Sequence, residues 1–236
     1  MRYDVRTQLS IADFLNFIKS MYELLGFGLF IVIFLYSVIL HEIAHGFVAL
    51  HYGDDTAKIS GRLSFNPLVH VDPVGSLLLP LLLYFSTGFA FGYAKPVPVN
   101  PYRLRGGSAS YRMVSLAGIA TNFAIALLAA SVVKLTTQQL GFPLNNLGVQ
   151  FFQLTMLLNI VLAVFNALPL PGFDGFNFLT TLPGVNDWLR RTPLGNPQLM
   201  GQYGIVISLL LLMLFWPFIH RIIAFFLNIF FGIFAL

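Results

Sequence analysis

The chain has 236 residues and no cysteine; 57 % of its residues are hydrophobic, 9 % are charged, and the formal net charge is +4. A soluble domain carries about 25 % charged residues, so this composition excludes one and, with several long apolar runs, points to a single polytopic membrane domain over residues 1–236. The lack of cysteine excludes disulfides and thiolate metal sites, the scattered Lys and Arg give no basic stripe for a nucleic acid, and the positive balance suits loops beside anionic lipid.

Residues 8–25 (QLSIADFLNFIKSMYELL) mix apolar and polar positions at helical spacing and read either as an interfacial helix or as a plain lead-in turn. The first span covers 26–50. Its uncharged run GFGLFIVIFLYSVIL (26–40) ends in His41-Glu42-Ile43-Ala44-His45. An ionisable side chain in lipid is expensive and marks function by default. On a helix His41 and His45 lie one turn apart on one face, so both imidazoles reach one metal ion, and Glu42 beside them can serve as a general base. The bland alternative, three buried and hydrogen-bonded helix residues, sits poorly in a chain with only five His and two Glu.

Residues 51–73 are polar, with Gly53, Gly61, Pro67 and Pro73, and read as short strands and turns. Residues 74–92 are apolar but broken by Pro80 and Gly88, which predicts a re-entrant segment or a short span. In 93–109 Pro alternates with Val, which forbids a helix and favours an extended or edge strand. Spans follow at 110–133 and 149–168, then a polar loop at 180–200. Residues 203–236 are apolar, interrupted by Trp216-Pro217 and His220-Arg221, and predict one kinked span or two short ones. There is no internal repeat of the kind that marks inverted-repeat transporters.

A catalytic zinc takes three protein ligands and keeps one open position. The acidic residues in or beside apolar runs are Glu23, Glu42 and Asp174. Asp174 closes a stretch in which Pro169, Pro171 and Gly172 break the helix, a disruption membranes tolerate where backbone lines a cavity. It reads as the third ligand, or alternatively as the cap of a helix beginning at Gly175.

HEIAHG (41–46), GRLSFNPLVHVDPVG (61–75), AKPVPVNP (94–101), SLAGIATN (115–122) and NALPLPGFDG (166–175) occur in this order. With these stretches the chain resembles a compact, bacterial-type member of the site-2 protease family of intramembrane zinc metalloproteases. The resemblance implies an all-α membrane fold: a core of three transmembrane helices with flanking helices, a re-entrant segment and short membrane-associated β-strands. It implies one Zn2+ per chain on His41, His45 and Asp174, with Glu42 as catalytic base. It implies that Asn166 holds an extended substrate backbone and that 94–101, through Val97 and Val99, offers an edge to a substrate strand. Asn122 is either a second substrate clamp or a buried interhelical hydrogen bond. His70 either approaches the metal or bonds locally. Phe173 stands where the family usually has Leu, and GIATN lacks a common proline. No stretch has room for the PDZ or other regulatory domain of larger relatives.

The expected function is zinc-dependent endoproteolysis within transmembrane segments of membrane proteins, in regulated intramembrane proteolysis. The partners are substrates with a transmembrane helix and the bilayer itself. With 74–92 re-entrant, eight Lys and Arg lie on the active-site side against five on the other, which puts the site on the cytoplasmic face of a bacterial membrane. Two alternatives use the same residues: a membrane metal-ion transporter, which needs a polar path that these spans lack, and a non-catalytic relative that binds membrane proteins, which has no need of a complete ligand-and-base set.

Overall fold

The computed structural model describes residues 11–72, 78, 82 and 95–234. The helices are α1 (Ile11–His51), α2 (Thr56–Ile59), α3 (Ser108–Lys134), α4 (Leu147–Asn166), α5 (Asp174–Thr180), α6 (Val185–Arg190) and α7 (Pro197–Phe234), and α3 continues as a π turn over Leu135–Gln139. Four of these are long and apolar enough to cross a membrane, over Leu25–His51, Ser108–Gln139, Leu147–Asn166 and Val206–Ile233. The protein is an all-α integral membrane protein.

Local chemistry sets the boundaries. The Asn146 side chain caps α4 by accepting from Gly148 N at 2.9 Å, and Asn196 caps α7 by accepting from Gln198 N at 3.0 Å. The chain enters α3 through Gly106 and Gly107, whose φ angles of 95° and 58° lie in the left-handed region that glycine takes without steric cost.

Packing follows from small residues rather than from hydrophobic drive, because lipid tails are as apolar as leucine. Ala126, Ala129 and Ala130 of α3 let α4 approach with Met156, Ile160 and Val164, and α7 adds Leu212, Ile219, Ile223 and Phe230. On α1 a buried stripe runs at every fourth residue through Ile33, Ser37, His41, His45 and Ala49, the spacing that keeps side chains on one helix face. α1, α3 and α4 thus form the core, and α7 packs against α3 and α4. Phe27, Leu128 and Met213 face outward, as a lipid-facing surface requires.

Long apolar helices lie over the stretches read as spans at 26–50, 110–133 and 149–168, and other expectations change. The segment read as an interfacial helix or a lead-in turn is helical from Ile11 and continuous with the first span: α1 has 41 residues, about 60 Å at 1.5 Å per residue, against a hydrocarbon core of about 30 Å. Of the two readings of 203–236, one kinked span or two short ones, the described residues form one helix. α7 runs unbroken over 38 residues with Pro217 inside it, since neighbouring helices in a membrane bundle tolerate the hydrogen bond a proline removes. The short strands expected in 51–73 are absent, and no strand occurs among the described residues. The chain there forms α2 and a 3-10 turn, Pro67–Val69, whose first N–H is capped by Asn66. Residues 95–100 form neither helix nor paired strand, and Asn100 is extended, but the helix-free stretch expected over 93–109 ends early: Pro101–Arg103 is a 3-10 turn and α3 begins at Ser108. The 74–92 segment lies outside the described residues apart from Leu78 and Leu82.

Candidate metal centre

The buried stripe of α1 carries His41 and His45 into the three-helix core, where their exposures are 6 % and 8 %. Asp174 arrives from the other end of the chain. α4 stops after Asn166 because Pro169 and Pro171 cannot continue it, and Gly172 turns the backbone at φ 89°. Asp174 is then the first residue of α5, with Phe173 rather than Asp174 at the cap position. Gly175 makes the approach possible: a Cβ there would lie 2.6 Å from Leu168 O. Ser208 of α7 holds the loop by donating to Pro171 O.

The three side chains converge. His41 Nε2 lies 3.0 Å and His45 Nε2 3.2 Å from Asp174 Oδ2, and the two Nε2 atoms are 3.0 Å apart. His45 Nδ1 donates to Val114 O at 2.7 Å. A carbonyl only accepts, so Nδ1 carries the proton, and when the ring is neutral its Nε2 lone pair turns inward. His41 Nδ1 meets Asn122 Oδ1 at 2.6 Å. Asp174 Oδ2 is buried with no hydrogen-bond donor of its own. Three electron-rich atoms therefore face one point, and a single proton can serve only a pair of them. A cation serves all three. Tetrahedral zinc with bonds of about 2.05 Å sets its ligand atoms about 3.3 Å apart, close to the separations here, and two imidazoles with one carboxylate is a donor set it takes in catalytic sites. These residues fit a metal, and they form the one group among the described residues that can hold an ion between three such side chains.

Gly118 of α3 closes the floor. A Cβ at this position would come within 2.5 Å of Nε2 of both His41 and His45, so only glycine leaves the centre open.

Glu42 points into the same polar cavity of about 260 Å³, which His41, His45, Asp174 and Asn166 also line. Its Oε2 accepts from Val97 N at 2.7 Å. Residues 95–100 run beside this cavity as a strap held at several points. Lys95 N donates to His70 O at 2.9 Å, Arg62 donates to Lys95 O, and Asn100 N donates to Asp54 Oδ2 at 2.6 Å. Val97 and Val99 both line the cavity.

The other anticipated residues take varied places. Asn166 lines the cavity and spends one N–H on Leu162 O at 2.9 Å. Asn122 is fully buried between helices, with Oδ1 on His41 and Nδ2 donating to Asn159 Oδ1 at 2.8 Å. His70 bonds locally to Ser64 O at 2.8 Å and is not part of the three-residue cluster. Asn177 and Tyr111 also line the cavity and were not singled out from sequence. Nor was Asn159, although an amide in an apolar span is itself a signal.

No family model matches the chain, and no solved structure matches it. It is 32 % identical over 202 residues to "Putative zinc metalloprotease YwhC" of Bacillus subtilis (strain 168), covering 80 % of this chain and 85 % of that protein. It is 32 % identical over 168 residues to "Putative zinc metalloprotease Rip2" of Mycolicibacterium smegmatis, covering 70 % of this chain and 61 % of the relative. The Mycobacterium tuberculosis (strain H37Rv) protein of the same name is 33 % identical over 152 residues, covering 63 % of this chain and 56 % of the relative. Likeness of this degree over most of both chains makes the kinship plain: the protein belongs to the site-2 protease family of zinc metalloproteases.

Proposed function

We propose that the protein is a zinc-dependent endopeptidase that cleaves transmembrane segments of membrane proteins, in regulated intramembrane proteolysis. The observation that carries this reading is the convergence of His41, His45, Asp174 and Glu42 on one polar cavity inside a bundle of apolar helices. His41, His45 and Asp174 would hold one zinc ion. Bound there, zinc supplies a water of pKa near about 7 and polarises a carbonyl.

Glu42 then acts as general base, taking a proton from water and passing it to the leaving amine. Its Oε2 is held by the Val97 N–H, which leaves Oε1 to accept from that water. A substrate helix hides its carbonyls in hydrogen bonds and has to unwind locally before it can react. The strap supports such unwinding, because an extended substrate can pair along it. Pro96 and Pro98 have no N–H and Glu42 takes that of Val97, which leaves the Val99 N–H for a partner strand. Asn166 keeps its carbonyl oxygen and one N–H for the substrate backbone on the other side of the cleft. The excess of Lys and Arg on the site side supports an opening toward the cytoplasm of a bacterial cell.

The test is co-expression with tagged single-span membrane proteins, wild type against Glu42→Gln. Cleavage by wild type and loss of more than 100-fold in Glu42→Gln at equal zinc content is the expected result. Retained cleavage removes Glu42 from the mechanism, and loss of zinc from a folded Glu42→Gln protein makes it a ligand.

A further inference from the structure

A line of buried polar side chains runs away from the metal centre, across the core, to a residue none of the motifs includes. His41 Nδ1 meets Asn122 Oδ1 at 2.6 Å. Asn122 Nδ2 donates to Asn159 Oδ1 at 2.8 Å. Asn159 Nδ2 donates both to Ser37 Oγ, at 2.8 Å, and to Thr155 O, at 2.9 Å. Asn122 and Asn159 are fully buried, and Ser37 is 4 % exposed. Polar groups this deep in an apolar bundle are retained only with every bond made.

The direction of the line is not free. Thr155 O is a backbone carbonyl and can only accept, so the Asn159 amide must turn its NH2 toward it. That turns Asn159 Oδ1 toward Asn122, which must answer with its own NH2. Asn122 therefore presents its oxygen to His41, and His41 must place its proton on Nδ1. In the neutral ring that binds a metal, the remaining nitrogen, Nε2, is then the unprotonated one, and it faces Asp174 and His45. His45 reaches the same state in one step, through Val114 O. Each histidine thus takes its tautomer from a backbone carbonyl, His45 directly and His41 through two amides.

We propose that Asn159 is a positioning residue for the metal centre: anchored on Thr155 O, it fixes the orientation of the Asn122 amide, and through it the His41 tautomer that presents Nε2 to the metal. Ser37, one turn before His41 on the same face of α1, takes the second Asn159 proton and steadies the arrangement. The inference rests on the reading of His41, His45 and Asp174 as the zinc site.

The experiment measures zinc affinity of the detergent-purified full chain by competition with a chelator, without any substrate. Outer partners of metal-bound histidines are worth about 10–100-fold in affinity, and Asn159→Leu should lose that much. An aspartate at 122 accepts from His41 whichever way it turns, so it needs no orienting amide. Adding Asn122→Asp to Asn159→Leu should therefore restore affinity to within about threefold of wild type, a rescue that a purely structural role for Asn159 would not give. Ser37→Ala should fall between wild type and Asn159→Leu. Wild-type affinity in a folded Asn159→Leu protein, or no rescue by Asn122→Asp, overturns the proposal. A wild type that binds no zinc overturns the site reading itself. Should Asn159→Leu fail to fold, the ¹⁵N shifts of His41 in zinc-loaded wild type decide: a protonated Nδ1 supports the proposal, and metal on Nδ1 overturns it.

Discussion

Gly118 shows how closely the centre depends on single atoms. A methyl group there would lie within 2.5 Å of both histidine Nε2 atoms, yet alanine is about 1 kcal/mol better than glycine inside a helix. Gly118→Ala is therefore expected to keep its helix and lose its zinc. Asp174→Ala should also lose zinc, because two histidines leave the metal under-coordinated. Elemental analysis beside circular dichroism checks both, and wild-type zinc content in either folded variant would contradict the ligand geometry. His41, Glu42, His45 and Asp174 were legible in the sequence because charge in an apolar run is costly and their spacing is helical. Gly118 and Asn177 were not, because their importance lies in what a distant segment brings beside them.

The 95–100 strap is the element that faces the centre, and Asp54 holds its far end. Burial pushes the Asp54 carboxyl up, but hydrogen bonds from the Thr56 hydroxyl and the Asn100 and Thr56 amides, with the charge of Arg103, outweigh this and hold it below the ordinary carboxylate range. A depressed carboxylate stabilises the fold above its unfolded value of about 3.9, and that contribution fades as pH falls through the lower folded value. Asp54→Asn should cost about 1.5–3 kcal/mol at pH 7, and its melting temperature should converge on that of wild type as the pH is lowered below about 3.9. A gap that stays constant down to pH 3 would contradict the assignment. Asp54→Ala should in addition slow cleavage while leaving zinc bound, since the strap and not the metal loses its anchor. That 95–100 is not helical was legible from its alternating prolines. The stretch 51–73 was read as short strands and turns, and the strand part failed although Asn66-Pro67, like Asn100-Pro101, carries a capping side chain before a proline at the first helical position.

Across the whole molecule, the C-terminal end of α1, the N-terminal end of α3 and the C-terminal end of α4 gather on one side. Arg105 N donates to Tyr52 O at 2.8 Å, so the connection between α1 and α3 leaves and returns at the same end of the bundle. Hydropathy marked the apolar stretches at 26–50, 110–133 and 149–168, but it left 203–236 open between one kinked span and two short ones, because a proline in a membrane helix loses its meaning as a stop once neighbours pack around it. The chain has no cysteine, so single cysteines at Ser60, Ser108 and Thr192 can be labelled in intact cells with a membrane-impermeant thiol reagent. All three should behave alike, and be protected if that side is cytoplasmic. Labelling of Ser108 from outside while Ser60 stays protected would put a membrane crossing between them. The most direct measurement is made on the purified protein in liposomes with a single-span membrane protein, mapping the cut by mass spectrometry. The expected cut lies inside the substrate's apolar segment, disappears with a chelator and returns with zinc. A cut confined to the substrate's soluble part, or one that survives complete removal of zinc, would contradict an intramembrane zinc protease.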